Sequence, residues 1–365
     1  MPMKYDIKEL SLEEKIGQMM IIGLNTEDSI EHLDEIINTY KIGGVLLYKK
    51  NYKNYQEMVN LVNKIKELNH KNKIPIFISI DQEGGRVNRM PKEFKNLPAA
   101  SKLVEKSIDK DMVKIAGEIT GTMLHKVGVN MNFAPVLDIK RFKDNHAIGD
   151  RAYSENPKEV SKYGIEYMKA LQEHDVISIV KHFPGHGATK EDSHFILPKI
   201  VYDIEELESE DMQPFKTAIE NKADGILIGH LRIPKITGKL PASISKKFIT
   251  KYVRKKYRYN GLIITDDMRM KGIRLRYGKN RAIQKAFLAC NDMIIFKYDE
   301  NIRVIQKIID LAKQNILEQK RIHKSVMRIL KLKEKYQIND EPINFDEDFI
   351  ETINKDIENV RKEVL

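Results

Sequence analysis

Apolar residues fall in eight short runs, separated by stretches in which they recur every three or four positions. The runs are Gly17–Leu24, Gly43–Tyr48, Pro75–Asp81, Val129–Ile139, Val176–His182, Asp224–His230, Leu262–Asp266 and Asp292–Phe296. They mostly lack a polar residue at every second place, so they read as strands covered on both faces, as in a parallel sheet. Between them, Met58–Leu68, Val160–Leu171 and Met212–Ile219 carry apolar positions at helical spacing. Alternating strand and helix patterns predict βαβ units. Eight of them predict an α/β fold, a (β/α)8 TIM-type barrel, with an open doubly wound sheet as the alternative. Further helices are expected over Ile302–Leu317 and Arg321–Tyr336. Residues 337–365 then begin loop-like and end in a helix. No repeat or Gly/Ser linker marks a second domain. The expected layout is therefore one barrel domain with closing helices over 1–336 and a C-terminal helical tail over 337–365.

Several runs end in a charged or polar residue: Asp81, Asp138, Lys181 with His182, His230, and Asp266 with Asp267. A charge abutting a buried strand is costly unless it is paired or functional. In a barrel these endings come from different strands and converge on the carboxyl-end face, where barrel active sites lie.

Composition narrows the class. No apolar run approaches the ~18 residues that span a bilayer. A single cysteine among 365 residues excludes an internal disulfide framework and a cysteine-cluster zinc site. The 63 Lys and Arg exceed the 53 Asp and Glu by 10. The lysines are interleaved with glutamates, as in KIKELNHKNK, which reads as solvated helix faces and not as a nucleic-acid footprint. The opening residues show no secretory pattern, so a cytoplasmic location is expected.

Three segments carry candidate chemistry. Lys181–His194 (KHFPGHGATKEDSH) holds three of the ten histidines, and its Pro and Gly residues make it a loop after the fifth strand. It suits either a metal site from His182, His186, His194 and Asp192, or acid–base work by His194 with Asp192 tuning it. Ile263–Met270 (IITDDMRM) places two adjacent carboxylates at a strand end. They cannot point the same way, so one faces the barrel axis and the other turns to a structural partner or caps the next helix. Ile78–Met90 (ISIDQEGGRVNRM) ends a strand in Asp81, turns at Gly84-Gly85 and continues to Arg86 and Arg89. It lacks P-loop spacing. A carboxylate with arginines suits a polyhydroxyl ligand.

Together these segments resemble glycoside hydrolase family 3, in its bacterial β-N-acetylglucosaminidase branch. LSLEEKIGQM, DQEGGRV, NFAPVLDI, IGDRAY, KHFPGHG, DSH, GHLRIPKITGKLPASIS and TDDM follow in the family's order. The resemblance implies a retaining glycosidase that needs no metal or organic cofactor. Asp266 is then the nucleophile and His194 the acid/base, paired with Asp192. Asp81, Arg89, Arg151, Lys181 and His182 match sugar-binding positions, with Lys181 and His182 as donors. Arg86, Asp138 and Asp267 match supporting positions, and Leu24 and His230 match the pocket wall. The implied partner is carbohydrate: terminal β-linked N-acetylglucosamine, chiefly in muropeptide fragments of the cell wall, with no nucleic acid and no membrane span.

Departures from the family pattern are also visible. The segment after Asp266 is unusually basic (MRMKGIRLRYGKNRA), which suits an anionic aglycone or a helix surface. Cys290 stands where a glycine is expected and reads as a small buried residue. Tryptophan is absent, so no indole platform can stack on a sugar. Phosphorolysis of the same intermediate, a β-glucosidase, a metal-dependent hydrolase and a non-catalytic sugar-binding barrel are the competing readings.

Overall fold

A computed structural model describes residues 5–25, 30–106, 111–193, 195–297 and 302–365. Each of the eight apolar runs contains a strand: β1 Met20–Gly23, β2 Gly44–Leu46, β3 Phe77–Ile80, β4 Met131–Asn132, β5 Ile177–Phe183, β6 Gly225–Ile228, β7 Leu262–Thr265 and β8 Ile294–Lys297. They pair in parallel in the order β7-β6-β5-β4-β3-β2-β1-β8. A parallel bridge between Ile264 and Met293 joins β7 to β8 and closes the ring. The expected (β/α)8 barrel is the observed fold. Its strand residues are almost all buried, because side chains on one face fill the barrel and those on the other meet the surrounding helices.

The fourth strand is the shortest. Pro135 has no N–H to give to the ladder, so pairing lapses after Asn132. It resumes at the Val136–Lys181 bridge, where Leu137 N donates to Lys181 O at 2.7 Å. The interrupted strand thereby delivers Asp138 beside β5.

Helices start where the sequence caps them. Ser11 and Glu14 form a reciprocal capping box before Leu12–Gln18. Asn54 caps Tyr55–Asn69, and Asn156 caps Pro157–Glu173 with proline at the first helical position. The helix expected over Ile302–Leu317 is shorter than that: it ends at Lys313, and another begins at Ile316 and runs to Lys335. Asn315 separates the two, its side-chain oxygen accepting from Glu318 N at 3.2 Å. The tail closes as the Asp348–Val364 helix, which buries Ile353, Ile357, Val360 and Val364 and packs on the Met112–Lys126 helix. Among the described residues no helix is long and apolar enough to cross a membrane.

Candidate active site

At the carboxyl ends of the strands lies a pocket of about 380 Å³. Asp81, which directly follows β3, contributes to one wall, and Lys181 and His182 from β5 contribute to the floor. Lys181 Nζ donates to Asp81 Oδ1 at 2.7 Å and to Glu83 Oε1 at 2.6 Å. Glu83 also accepts two parallel bonds from Arg151, Nε to Oε2 and Nη2 to Oε1, both 2.8 Å. Burial alone would raise the Glu83 carboxyl, but Arg151 and Lys181 outweigh it and hold it far below the usual carboxylate range. The turn that carries Glu83 needs its glycines. Gly84 and Gly85 have φ of +87° and +53°, and a Cβ on Gly85 would meet Ala99 Cβ at 2.8 Å.

Arg89 also borders the pocket. Its backbone N–H donates to Gln82 Oε1 at 2.8 Å and its carbonyl accepts from Tyr52 at 3.0 Å, so the chain is fixed where Arg89 lines the cavity. Arg86 has a different task. It pairs with Asp150 at 2.9 Å and donates to the carbonyls of His146, Ala147 and Ile148. It thereby ties down the turn that presents Arg151.

Asp138 is fully buried beneath the floor. It accepts from His182 Nδ1 at 2.6 Å, from His182 N at 3.2 Å and from His186 N at 2.6 Å. Burial opposes its charge, but His182 and these donors outweigh that and keep its carboxyl low. The contact fixes the His182 tautomer, with the proton on Nδ1. In the neutral ring Nε2 therefore accepts a bond; it donates only as imidazolium. The imidazolium is the form in which His182 would donate to a sugar hydroxyl, as expected from the sequence.

His186 is also buried, at the edge of the pocket. Burial, reinforced by the neighbouring His182, pushes its imidazolium down to about 4, so the ring is neutral near pH 7. Its Nε2 bonds Ser193 Oγ at 2.9 Å, which tethers the far side of the loop after β5.

Asp266 follows β7. Its N–H donates to Ile228 O at 3.0 Å, and its Oδ1 accepts from Asp267 N at 2.8 Å. Both Asp266 and Asp267 line the pocket. Asp267 turns to the Arg269 guanidinium and accepts from Tyr48 OH at 3.2 Å. It does not cap the following helix: Lys271–Tyr277 begins after Met270 with no side-chain cap, because Asp267 Oδ1 instead accepts from Arg269 N two residues on, at 2.9 Å. Arg269 lies over the Tyr48 ring, 4.6 Å from its centroid, and hydrogen-bonds its hydroxyl. Burial, with Asp267 nearby, raises the Tyr48 phenol well above its usual range, so it stays a neutral donor. His230 is a satisfied polar residue: Nδ1 meets Ser243 Oγ at 2.8 Å and Nε2 donates to Asp267 O at 3.1 Å.

The structure thus brings Asp81, Arg89, Arg151, Lys181, His182, Asp192 and Asp266 to one pocket. His194 lies outside the described residues. Among the described residues no group of three or more His, Cys, Asp or Glu side chains is arranged to hold a metal ion. The two described histidines of the loop are committed elsewhere, to Asp138 and to Ser193. Sequence reading passed over Glu83, Tyr48 and Arg269 as pocket residues. Tyr48 had a usable signal, being the polar end of the second apolar run. Cys290 is half-buried, not buried, and its φ is +73°, which accounts for a glycine being expected there.

Fold and pocket together define a (β/α)8 barrel with a charged pocket at the carboxyl ends of its strands. The glycosyl hydrolase family 3 N-terminal domain matches residues 11–332, and the chain belongs to that family. It is 32% identical over 329 residues to beta-hexosaminidase A of Pseudoalteromonas piscicida, covering 83% of this chain and 55% of that protein. It is 33% identical over 269 residues to the beta-hexosaminidase of Hydrogenovibrio crunogenus, covering 71% and 74%. A solved family 3 beta-N-acetylglucosaminidase from Paenibacillus sp. FPU-7 superposes with a TM-score of 0.88 at 29% identity, over 97% of this chain and 69% of that one. The chain therefore spans about half the length of the Pseudoalteromonas relative.

Proposed function

We propose that the protein is a retaining exo-β-N-acetylglucosaminidase. The observation that carries this reading is the convergence of Asp266, Asp81, Arg89, Arg151, Lys181 and His182 on one pocket at the carboxyl end of a family 3 barrel. The Paenibacillus structure, a beta-N-acetylglucosaminidase, supports N-acetylglucosamine as the sugar, and the two beta-hexosaminidases support a hexosaminidase.

In this mechanism Asp266 attacks the anomeric carbon and the glycosidic C–O bond breaks. The leaving oxygen takes a proton from His194, and a glycosyl ester on Asp266 results. His194 then removes a proton from water, the water oxygen attacks the same carbon, and the ester bond breaks to free Asp266. The hydrogen bond from Asp267 N holds the Asp266 carboxylate in one orientation. Asp192 supports His194. Asp81 accepts from ring hydroxyls, while Lys181, Arg89 and Arg151 donate. Muropeptide fragments and a cytoplasmic location complete the proposal, with Arg269 and the basic segment after it facing an anionic aglycone.

The test is hydrolysis of 4-nitrophenyl β-N-acetylglucosaminide, with the β-glucoside as control and with and without phosphate. Asp266→Asn is expected to lower kcat by about 10⁴-fold or more, as for loss of a nucleophile. His194→Ala is expected to cost about 10²–10⁴-fold on a natural disaccharide. Its effect on the nitrophenyl substrate is smaller, because nitrophenolate leaves with little acid help. Turnover that depends on phosphate would make the enzyme a phosphorylase. No turnover under either condition would sink the proposal.

A further inference from the structure

Asp81, Lys181, Glu83 and Arg151 form an unbroken chain of alternating charge lining the pocket. All four line the cavity, and three of them are the ligand-binding groups proposed above. The fourth, Glu83, has both oxygens occupied: Oε1 by Lys181 and Arg151, Oε2 by Arg151. We infer that Glu83 is the positioning residue of the sugar site, a buried carboxylate that sets where the Lys181 ammonium and the Arg151 guanidinium present their remaining N–H groups. The inference rests on the pocket being a sugar site, as proposed above.

The donor inventory shows how this works. Lys181 has three N–H bonds; Asp81 and Glu83 take two, leaving one for a ligand. Arg151 has five. Glu83 takes two and the Ala147 carbonyl takes one at 2.9 Å, leaving two. Asp81 gives Oδ1 to Lys181, and among the described residues no other donor bonds its Oδ2. Lys181 and Arg151 are thus partly satisfied by protein in orientations fixed by Glu83, and Asp81 is held through Lys181.

Without Glu83, Lys181 has only Asp81 to approach and takes over both of its oxygens, while Arg151 loses its fork. Two buried cations then lie side by side without a shared counter-charge. Glu83 is itself anchored through its backbone: its N–H donates to Val87 O at 3.0 Å across the Gly84–Val87 bridge. The carboxylate is therefore placed by the turn before any ligand arrives.

Glu83→Gln and Glu83→Asp in the full chain test the inference. The readouts are the Kd for N-acetylglucosamine by calorimetry, KM and kcat on the nitrophenyl substrate, and Tm. For Glu83→Gln, Kd and KM are expected to rise at least about 10-fold and kcat/KM to fall by about 100-fold, the loss of charge-assisted bonds. Glu83→Asp keeps the charge but is one methylene short of spanning both cations, so it is expected to weaken binding to an intermediate degree. The pH profile of kcat/KM is expected to keep its limbs, since the acid/base is untouched; a purely structural role would lower Tm and leave Kd alone. If the glutamine variant fails to fold, the aspartate variant decides. Folded variants with wild-type Kd and KM would overturn the positioning role alone. A wild type that neither binds N-acetylglucosamine nor turns over would overturn the sugar site and this inference with it.

Discussion

Asp138 exposes no atom to the pocket, yet it determines what His182 can offer a ligand. It holds the imidazole through Nδ1 and fixes the backbone of His182 and His186 at once. An asparagine there can present an N–H to Nδ1, which reverses the tautomer. Asp138→Asn is expected to lower kcat/KM by about 10–100-fold, typical for loss of a residue that orients a functional group. A wild-type value in a steady-state assay would rule the orienting role out. The same residue has a signature in stability. Its folded carboxyl titrates below its usual value of 3.8, so it stabilises the fold above that value and the contribution is lost as pH falls below it. The acid limb of the stability curve is therefore expected to be shallower in the asparagine variant. At this scale the sequence was legible wherever a motif carried the residue. Asp138 is visible in the sequence as a charge at a strand end and as a supporting position of the NFAPVLDI motif, but its hold on His182 and His186 is not. Glu83 stands between a glutamine and two glycines, with no periodicity to announce it, and its partner Arg151 is 68 residues away. Tyr48 and Arg269 meet across 221 residues. Such pairings are made by the closing of the barrel and leave no local trace.

Elements were legible where periodicity was strong and less so where a single residue intervened. All eight apolar runs hold a strand, because burial on both faces demands continuous hydrophobicity. The fourth was read as an eleven-residue run, and Pro135 cuts its paired core to Met131–Asn132. The helix predicted over Ile302–Leu317 stops at Lys313 because Asn315, an N-cap residue by type, interrupts an otherwise unbroken helical pattern. The tail was read as loop followed by helix, and it is. Its contribution is testable. Ile357 is fully buried in the Asp348–Val364 helix, which packs on Met112–Lys126 and supplies no lining to the pocket. Ile357→Ala is expected to cost about 2–5 kcal/mol in denaturant unfolding. Activity per folded molecule is expected to stay at the wild-type level. A large loss of kcat in folded protein would show that the tail acts on the site after all.

Across the whole molecule, chemistry and closure sit at opposite ends of the barrel. The pocket opens at the carboxyl ends of the strands, while Lys333 stands at the amino ends and is fully buried. Its Nζ donates to Gln18 Oε1 at 2.8 Å, Gly43 O at 3.1 Å and Pro75 O at 2.6 Å, joining the segments that lead into β1, β2 and β3. Burial pushes this ammonium down to about 7 from an ordinary 10.5, with Asp340 opposing the shift. Between those values the unfolded chain binds the proton and the folded chain releases it, so stability gains as pH rises from about 7 to 10.5. Below 7 both states are protonated and the penalty is constant. Lys333→Met removes the titration but withdraws the donor from Gln18 Oε1 and Pro75 O, each worth about 1–3 kcal/mol, while Gly43 O keeps its bond from Phe77 N. The variant is therefore expected to be less stable at every pH, and the gap between wild type and variant to widen from pH 7 to pH 10. Taking the difference cancels the tyrosines and the surface lysines, which titrate in both proteins. Denaturant midpoints at three or four pH values provide the comparison. A gap that stays constant would mean that the three carbonyl-type acceptors keep Lys333 charged throughout, and that the barrel floor is closed by an ammonium ion and not by an amine.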